Sequence, residues 1–253
     1  MKATRKTIVT LAIAVIGVSL FAPVAQAVPI TPTNVRPVAG VPTTAQLQTQ
    51  LDTIYGCAGC VNASTDQNTA GMWQLPGAAP GGTLPIITFQ AGAYFDQVTF
   101  GIWSGTDTTA LTTVEIFSGT TGPGTFAALT WIGDPNTLTI TGGAGVNAGV
   151  FAGINRYGFG FYIDSPDPGG TDGKYWSVDQ LNDGGLAQML AYVGGPTRWT
   201  FAWEDLNRVI GADNNFVDLV VTTESLVPVP EPTTLALLGL GLAGLGWSRR
   251  KKA

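Results

Sequence analysis

Trp199-Thr200-Phe201-Ala202-Trp203, running on into Glu204-Asp205-Leu206, decides how this chain reads. Large aromatic residues alternate with small ones at a period of two, the spacing of side chains along one face of a β-strand. The same period recurs earlier and later. Val98, Phe100 and Ile102 alternate with Thr99 and Gly101, and Val114 and Ile116 alternate with Thr113, Glu115 and Phe117. Tyr157, Phe159, Phe161 and Ile163 share one face with Gly158 and Gly160 on the other, and Phe216–Thr223 gives a last strand. Gly, Pro, Asn and Asp separate these runs. The pattern predicts an all-β domain, an antiparallel β-sandwich or jelly roll. Its aromatic residues read as core rather than as a ligand platform. Residues 142–149, Gly-Gly-Ala-Gly-Val-Asn-Ala-Gly, occur as a single copy and read as a glycine-rich turn, because a calcium-binding β-roll needs stacked repeats.

Upstream of the strands, Pro29, Pro32, Pro37 and Pro42 make residues 28–42 an extended leader. Thr43 then caps a predicted short helix reaching Tyr55, with Leu47, Leu51 and Ile54 on one face and Gly56 as its stop. Cys57-Ala58-Gly59-Cys60 follows. This spacing fits a redox pair in a thioredoxin-like setting or a local disulfide, and an exported protein favours the disulfide. Two cysteines without further ligands make no structural zinc site.

Both ends carry targeting patterns. Lys2, Arg5 and Lys6 precede the apolar run Ile8–Phe21 and the small-x-small site Ala25-Gln26-Ala27, so residues 1–27 read as a secretory signal peptide. At the other end, Pro230-Glu231-Pro232 leads into an apolar stretch, Leu235–Trp247, and then Arg249-Arg250-Lys251-Lys252. A spacer, an apolar helix and a basic stop form the order that membrane insertion requires. At 13 residues the run is short of the roughly 20 that span a bilayer. Gly239, Gly241, Gly244 and Gly246 weaken it further as a helix.

This tail, residues 228–253, resembles the PEP-CTERM sorting signal of Gram-negative bacteria. The resemblance implies a transmembrane helix that holds an exported protein in the inner membrane. An exosortase-type transpeptidase then processes the chain near Pro230-Glu231-Pro232. It also implies a cell-surface or extracellular-matrix protein of a bacterium that makes exopolysaccharide.

Between the targeting segments, Val28–Val227 holds five basic and 16 acidic residues, a net charge of −11. No basic patch can form, which excludes nucleic acid as a partner. Histidine is absent. The usual general base at neutral pH and the commonest zinc ligand are therefore missing, and no Ser-His-Asp or Cys-His site can be built. A glycosidase-style carboxylate pair remains open.

The acids concentrate after the opening strand. Glu204-Asp205 is followed by Asp213-Asn214-Asn215-Phe216-Val217-Asp218. Together with Thr99–Trp103, Phe159–Ile163 and Ser177–Asn182, this region resembles a bacterial exported domain-of-unknown-function family. That family's hallmark is Trp-Glu-Asp-Leu followed by Asp-x-Asp-Phe-Asn-Asp. The likeness runs from about Thr43 to Glu224, and it implies calcium, since such domains occur in calcium-dependent adhesins. Glu204 and Asp205 match the Glu-Asp pair, and Asp213 and Asp218 match the first and last acids. Asn215 stands where the motif has an acid, and Val217 where it has an amide. A turn rich in carboxylate and amide oxygens suits a hard cation taking six to eight oxygen ligands. The competing readings are hydrogen bonds within the turn, or an ion pair with Arg198 or Arg208.

The expectation is therefore a non-enzymatic, exported surface protein with one β-sandwich over residues 43–227, stabilised by calcium. The alternatives are an exopolysaccharide-binding module, which needs exposed tryptophans, and a carboxylate-based glycosidase.

Overall fold

A computed structural model describes residues 28–38, 45–77, 81–91, 94–166, 173–195, 197–230 and Leu240. The predicted helix is present as α1 (Ala45–Tyr55), and it buries Leu47 and Leu51. Gly56 ends it with φ +70°, the left-handed stop that glycine adopts without steric cost. Thr43 lies outside the described residues.

The strands then follow in order. They are β1 (Trp73–Gln74), β2 (Gly81–Thr83), β3 (Ile86–Gln90), β4 (Thr99–Ser104) and β5 (Thr112–Phe117). Next come β6 (Ala127–Trp131), β7 (Thr137–Gly142), β8 (Gly149–Ala152), β9 (Gly160–Asp164) and β10 (Lys174–Trp176). The last are β11 (Met189–Val193), β12 (Trp199–Trp203), β13 (Leu219–Thr223) and β14 (Val227–Pro228). Every pairing between them is antiparallel. The described residues form three four-stranded sheets, β10-β9-β4-β5, β11-β12-β13-β3 and β2-β6-β7-β8, and the pair β1-β14.

One aromatic core joins all three sheets. Phe100 and Phe161 from the first sheet meet Trp203 and Phe201 from the second at 6.2 and 5.1 Å between ring centroids. Trp131 of the third sheet stacks on Phe159 at 5.3 Å. Each such side chain contributes roughly 1.5–3 kcal/mol by leaving water. The second sheet is covered on both faces. All five residues of β12 are buried, with Trp199, Phe201 and Trp203 in the aromatic core and Ala202 on the reverse side against Leu47 and Leu51 of α1. Tyr55 at the end of α1 and Thr200 of β12 share a hydrogen bond between their hydroxyls at 2.8 Å.

The glycines facing away from the core also have a role. Tyr162 lies flat across Gly101 on the outer face of the first sheet, and a Cβ on Gly101 would stand 2.2 Å from its ring. Trp103 covers Gly160 in the same way, at 2.5 Å. Residues 143–148 turn between β7 and β8, as the glycine-rich stretch predicts. Two boundaries differ from expectation. Tyr157 sits in an exposed turn ahead of β9, and β13 begins at Leu219 rather than Phe216. Phe216 has φ 54°, a left-handed conformation that no strand residue holds.

Candidate functional site

The register of the second sheet builds the site. Met189, Trp203 and Leu219 stand in one row across β11, β12 and β13. One residue further, Glu204 donates its backbone N–H to the Gln188 carbonyl at 3.0 Å, and Asp218 donates its own to the Trp203 carbonyl at 3.2 Å. The Asp205 backbone N–H donates to Asp218 Oδ2 at 3.0 Å. Glu204, Asp205 and Asp218 are 0, 2 and 4% exposed. One carboxylate oxygen from each lies within 4.8 Å of the others.

Three buried carboxylates at this spacing are in electrostatic conflict. Two of them ionised at 4.8 Å repel by about 3 kcal/mol at an effective dielectric near 20. The Glu204 carboxyl is held far above the ordinary range, first by burial and then by Asp218, Asp213 and Asp205. Burial raises Asp218 as well, and the hydrogen bond from the Asp205 backbone partly offsets it. Both Glu204 oxygens are buried, no backbone or amide donor reaches them, and their side-chain hydrogen-bond partner is a second carboxyl, Asp218. An acceptor left this way costs about 1–3 kcal/mol, more when it is charged.

Asp213 and Asn215 are placed differently. Asp213 is exposed, and its two oxygens accept from the Asn215 backbone and side-chain amides at 3.1 and 2.7 Å. Asn215 Oδ1 accepts the Val217 N–H at 2.8 Å. The pair closes the 206–217 loop on itself and reaches the buried acids through Asp213's electrostatic influence on Glu204 and Asp218. Of the five residues singled out in the sequence, Glu204, Asp205 and Asp218 come together, while Asp213 and Asn215 shape the loop beside them.

Among the described residues neither arginine weighed as an ion-pair partner forms a salt bridge to the acids, although Arg208 feels the Glu204 charge. Arg198 lies beside Tyr55, 5.8 Å from its ring, at the far end of β12. Arg208 is nearer, but its guanidinium donates to Asn214 Oδ1 and to the Ala187 carbonyl and lies 5.2 Å from the Phe216 ring centroid. An all-oxygen donor set with an unsatisfied buried carboxylate fits a hard divalent cation in its chemistry.

Cys57 and Cys60 are joined in a disulfide just after α1, with Cα atoms 5.7 Å apart. Asp52 braces the loop by accepting the Gly59 N–H at 2.8 Å. The leader, by contrast, does more than link. Arg36 forms a bidentate pair with Asp179 at 2.6 and 3.0 Å and donates to the Met189 carbonyl at 2.8 Å. Asn34 bonds both the Ser177 carbonyl and the Asp179 N–H.

At the C-terminal side, β14 pairs with β1, and the Val229 N–H donates to the Met72 carbonyl at 3.1 Å. Pro230 follows directly. Glu231, Pro232, the apolar run apart from Leu240, and Arg249–Lys252 lie outside the described residues, as do residues 1–27. Among the described residues no helix is long and apolar enough to cross a membrane.

The class these features define is an antiparallel all-β protein with a buried acidic cluster and a short C-terminal segment after its last strand. Residues 228–251 match the PEP-CTERM protein-sorting motif, which marks an exported cell-surface protein sorted by an exosortase. The match begins at Pro228, in β14, and leaves the rest of the β domain outside it. No curated protein and no solved structure matches the chain.

Proposed function

We propose that this is a non-enzymatic surface or matrix protein. Its β-sandwich is anchored in the inner membrane by the tail helix, released by exosortase processing, and stabilised by one calcium ion held by Glu204, Asp205 and Asp218. The sorting motif, which begins in β14 at the edge of the folded domain, carries the reading. The buried acids support the calcium part, because a cation relieves their repulsion and satisfies Glu204 together.

Other observations weigh against the alternatives. An exopolysaccharide-binding groove built on tryptophans needs them exposed, whereas Trp103, Trp199 and Trp203 are 0, 2 and 0% exposed. Four surface clefts of about 180 to 310 Å³ carry at most one carboxylate each, Glu224 or Asp96. Glu204, Asp205 and Asp218 are sealed from any substrate. The half-buried Glu115 and Asp164, which also lie near each other, line none of these clefts, and Asp164 is paired to Lys174.

Mass spectrometry of membrane-bound and released protein tests the sorting half. Mature surface protein is expected to lack the residues after about Pro232, and Glu231→Ala to leave the chain in the inner membrane. Intact Arg249–Ala253 on protein at the cell surface would overturn the reading.

A further inference from the structure

The row that holds Glu204 and Asp218 begins one strand earlier, at Gln188. The Gln188 carbonyl accepts the Glu204 N–H at 3.0 Å, so the two residues stand opposite each other just beyond the ends of β11 and β12. Residues opposed in an antiparallel pair project to the same face with Cβ atoms roughly 4.5–5.5 Å apart.

The orientation of the Gln188 amide is fixed by its surroundings. Its Nε2 donates to the Leu206 carbonyl at 2.9 Å, and a carbonyl can only accept. The amide oxygen is therefore the end turned away. Gln188 is 2% exposed, and this oxygen receives no hydrogen bond. The Glu204 oxygens likewise receive no backbone or amide donor. The segment to which Gln188 donates follows Glu204 and Asp205 immediately, which keeps the amide beside the acids.

A proton on Glu204 satisfies a single acceptor, either Gln188 Oε1 or Asp218, and leaves the remainder unmatched. A hard divalent cation satisfies carboxylate and amide oxygens at once. We infer that Gln188 Oε1 is the neutral ligand of a divalent-cation site completed by Glu204, Asp205 and Asp218. The inference rests on the calcium reading above and adds to it a residue, and a reason for its burial. Gln188 supplies an oxygen without adding a fourth negative charge. The set also ties β11, β12 and β13 together at the sheet end, where the backbone ladder stops.

Isothermal titration of the exported protein with calcium chloride, after stripping with chelator, tests it. The wild type is expected to bind one calcium. Gln188→Met keeps the volume and removes the oxygen, and should weaken binding at least about tenfold. Its melting temperature in chelator should change little, because the unmatched oxygen is removed together with the hydrogen bond to the Leu206 carbonyl. Gln188→Glu keeps an oxygen and should retain binding even if Gln188→Met folds poorly. Equal affinity for wild type and Gln188→Met, with loss in the Glu204→Gln, Asp218→Asn double variant, would remove Gln188 from the site and leave the calcium reading standing. A wild type that binds no calcium would overturn both and assign the row to a shared proton.

Discussion

Glu204 sits where a carboxylate is hardest to ionise, fully buried with two other acids within 4.8 Å. Its folded-state value rises from 4.5 to about 9, so across that window the metal-free folded protein holds a proton that the unfolded chain releases. A raised acid loses stability as pH rises, by up to about 1.4 kcal/mol for each pH unit. The melting temperature in chelator is therefore expected to fall between pH 5 and pH 8, and Glu204→Gln to flatten the fall. A level wild-type profile would contradict this. The disulfide makes a smaller contribution. The loop between Cys57 and Cys60 is short, so replacing both with serine should cost about 2 kcal/mol or less by denaturant titration. Thiol labelling of the native protein should find no reactive cysteine. At this scale the sequence exposed the acids but not their arrangement. Glu204-Asp205 and Asp218 are visible as charges beside apolar runs. Gln188 enters only through the β11–β12 pairing, which no local pattern encodes. Asp213 and Asn215 look like ligands in the sequence because turn-forming and ligating oxygens are the same chemical groups.

Among the elements, the leader makes the sharpest claim. Arg36 is 1% exposed at its side chain and Asp179 15%, so their pair is largely withdrawn from water. Removing one partner of a buried pair leaves the other charge uncompensated and costs about 3–5 kcal/mol. Arg36→Ala should accordingly lower the denaturant midpoint markedly, far beyond what an extended proline-rich linker would allow. Prolines made residues 28–38 legible as extended, but their docking depends on Ser177, Asp179 and Met189, which are remote in the chain. The strands divide in the same way. β4, β5, β9 and β12 are legible because bulky residues alternate with small ones. β11, Met-Leu-Ala-Tyr-Val, lacks alternation because both of its faces are covered, with Met189 and Ala191 in one core and Leu190 and Tyr192 in another. β2 is Gly-Gly-Thr and exists only as the partner of β6. The order of strands in each sheet comes from long-range pairing and has no local signature.

For the whole molecule, the decisive question is where the fold hands over to the sorting signal. The tail's resemblance to a sorting signal places that boundary after Val227, yet the folded body continues through Val229. Val227–Pro228 pairs with Trp73–Gln74, and Val229 bonds Met72 and packs on the cluster of Met72, Trp103, Tyr162 and Val178. Ile30, from the other end of the described chain, packs on the same cluster. The first residues of the matched tail thus belong to the domain, and Glu231 follows it after Pro230 alone. Processing near Pro232 would then remove the apolar tail without disturbing β14. A chain ending at Pro230 should melt at the temperature of the exported, processed protein. A chain ending at Leu226 loses β14 and the packing of Val229, a deficit of about 1–2 kcal/mol on the scale of one partly buried valine and its ladder bonds. For a domain of this size that lowers the melting temperature by about 2–8 °C. Equal melting of the two chains would place the fold boundary before β14, and the pairing with β1 would then add nothing to stability.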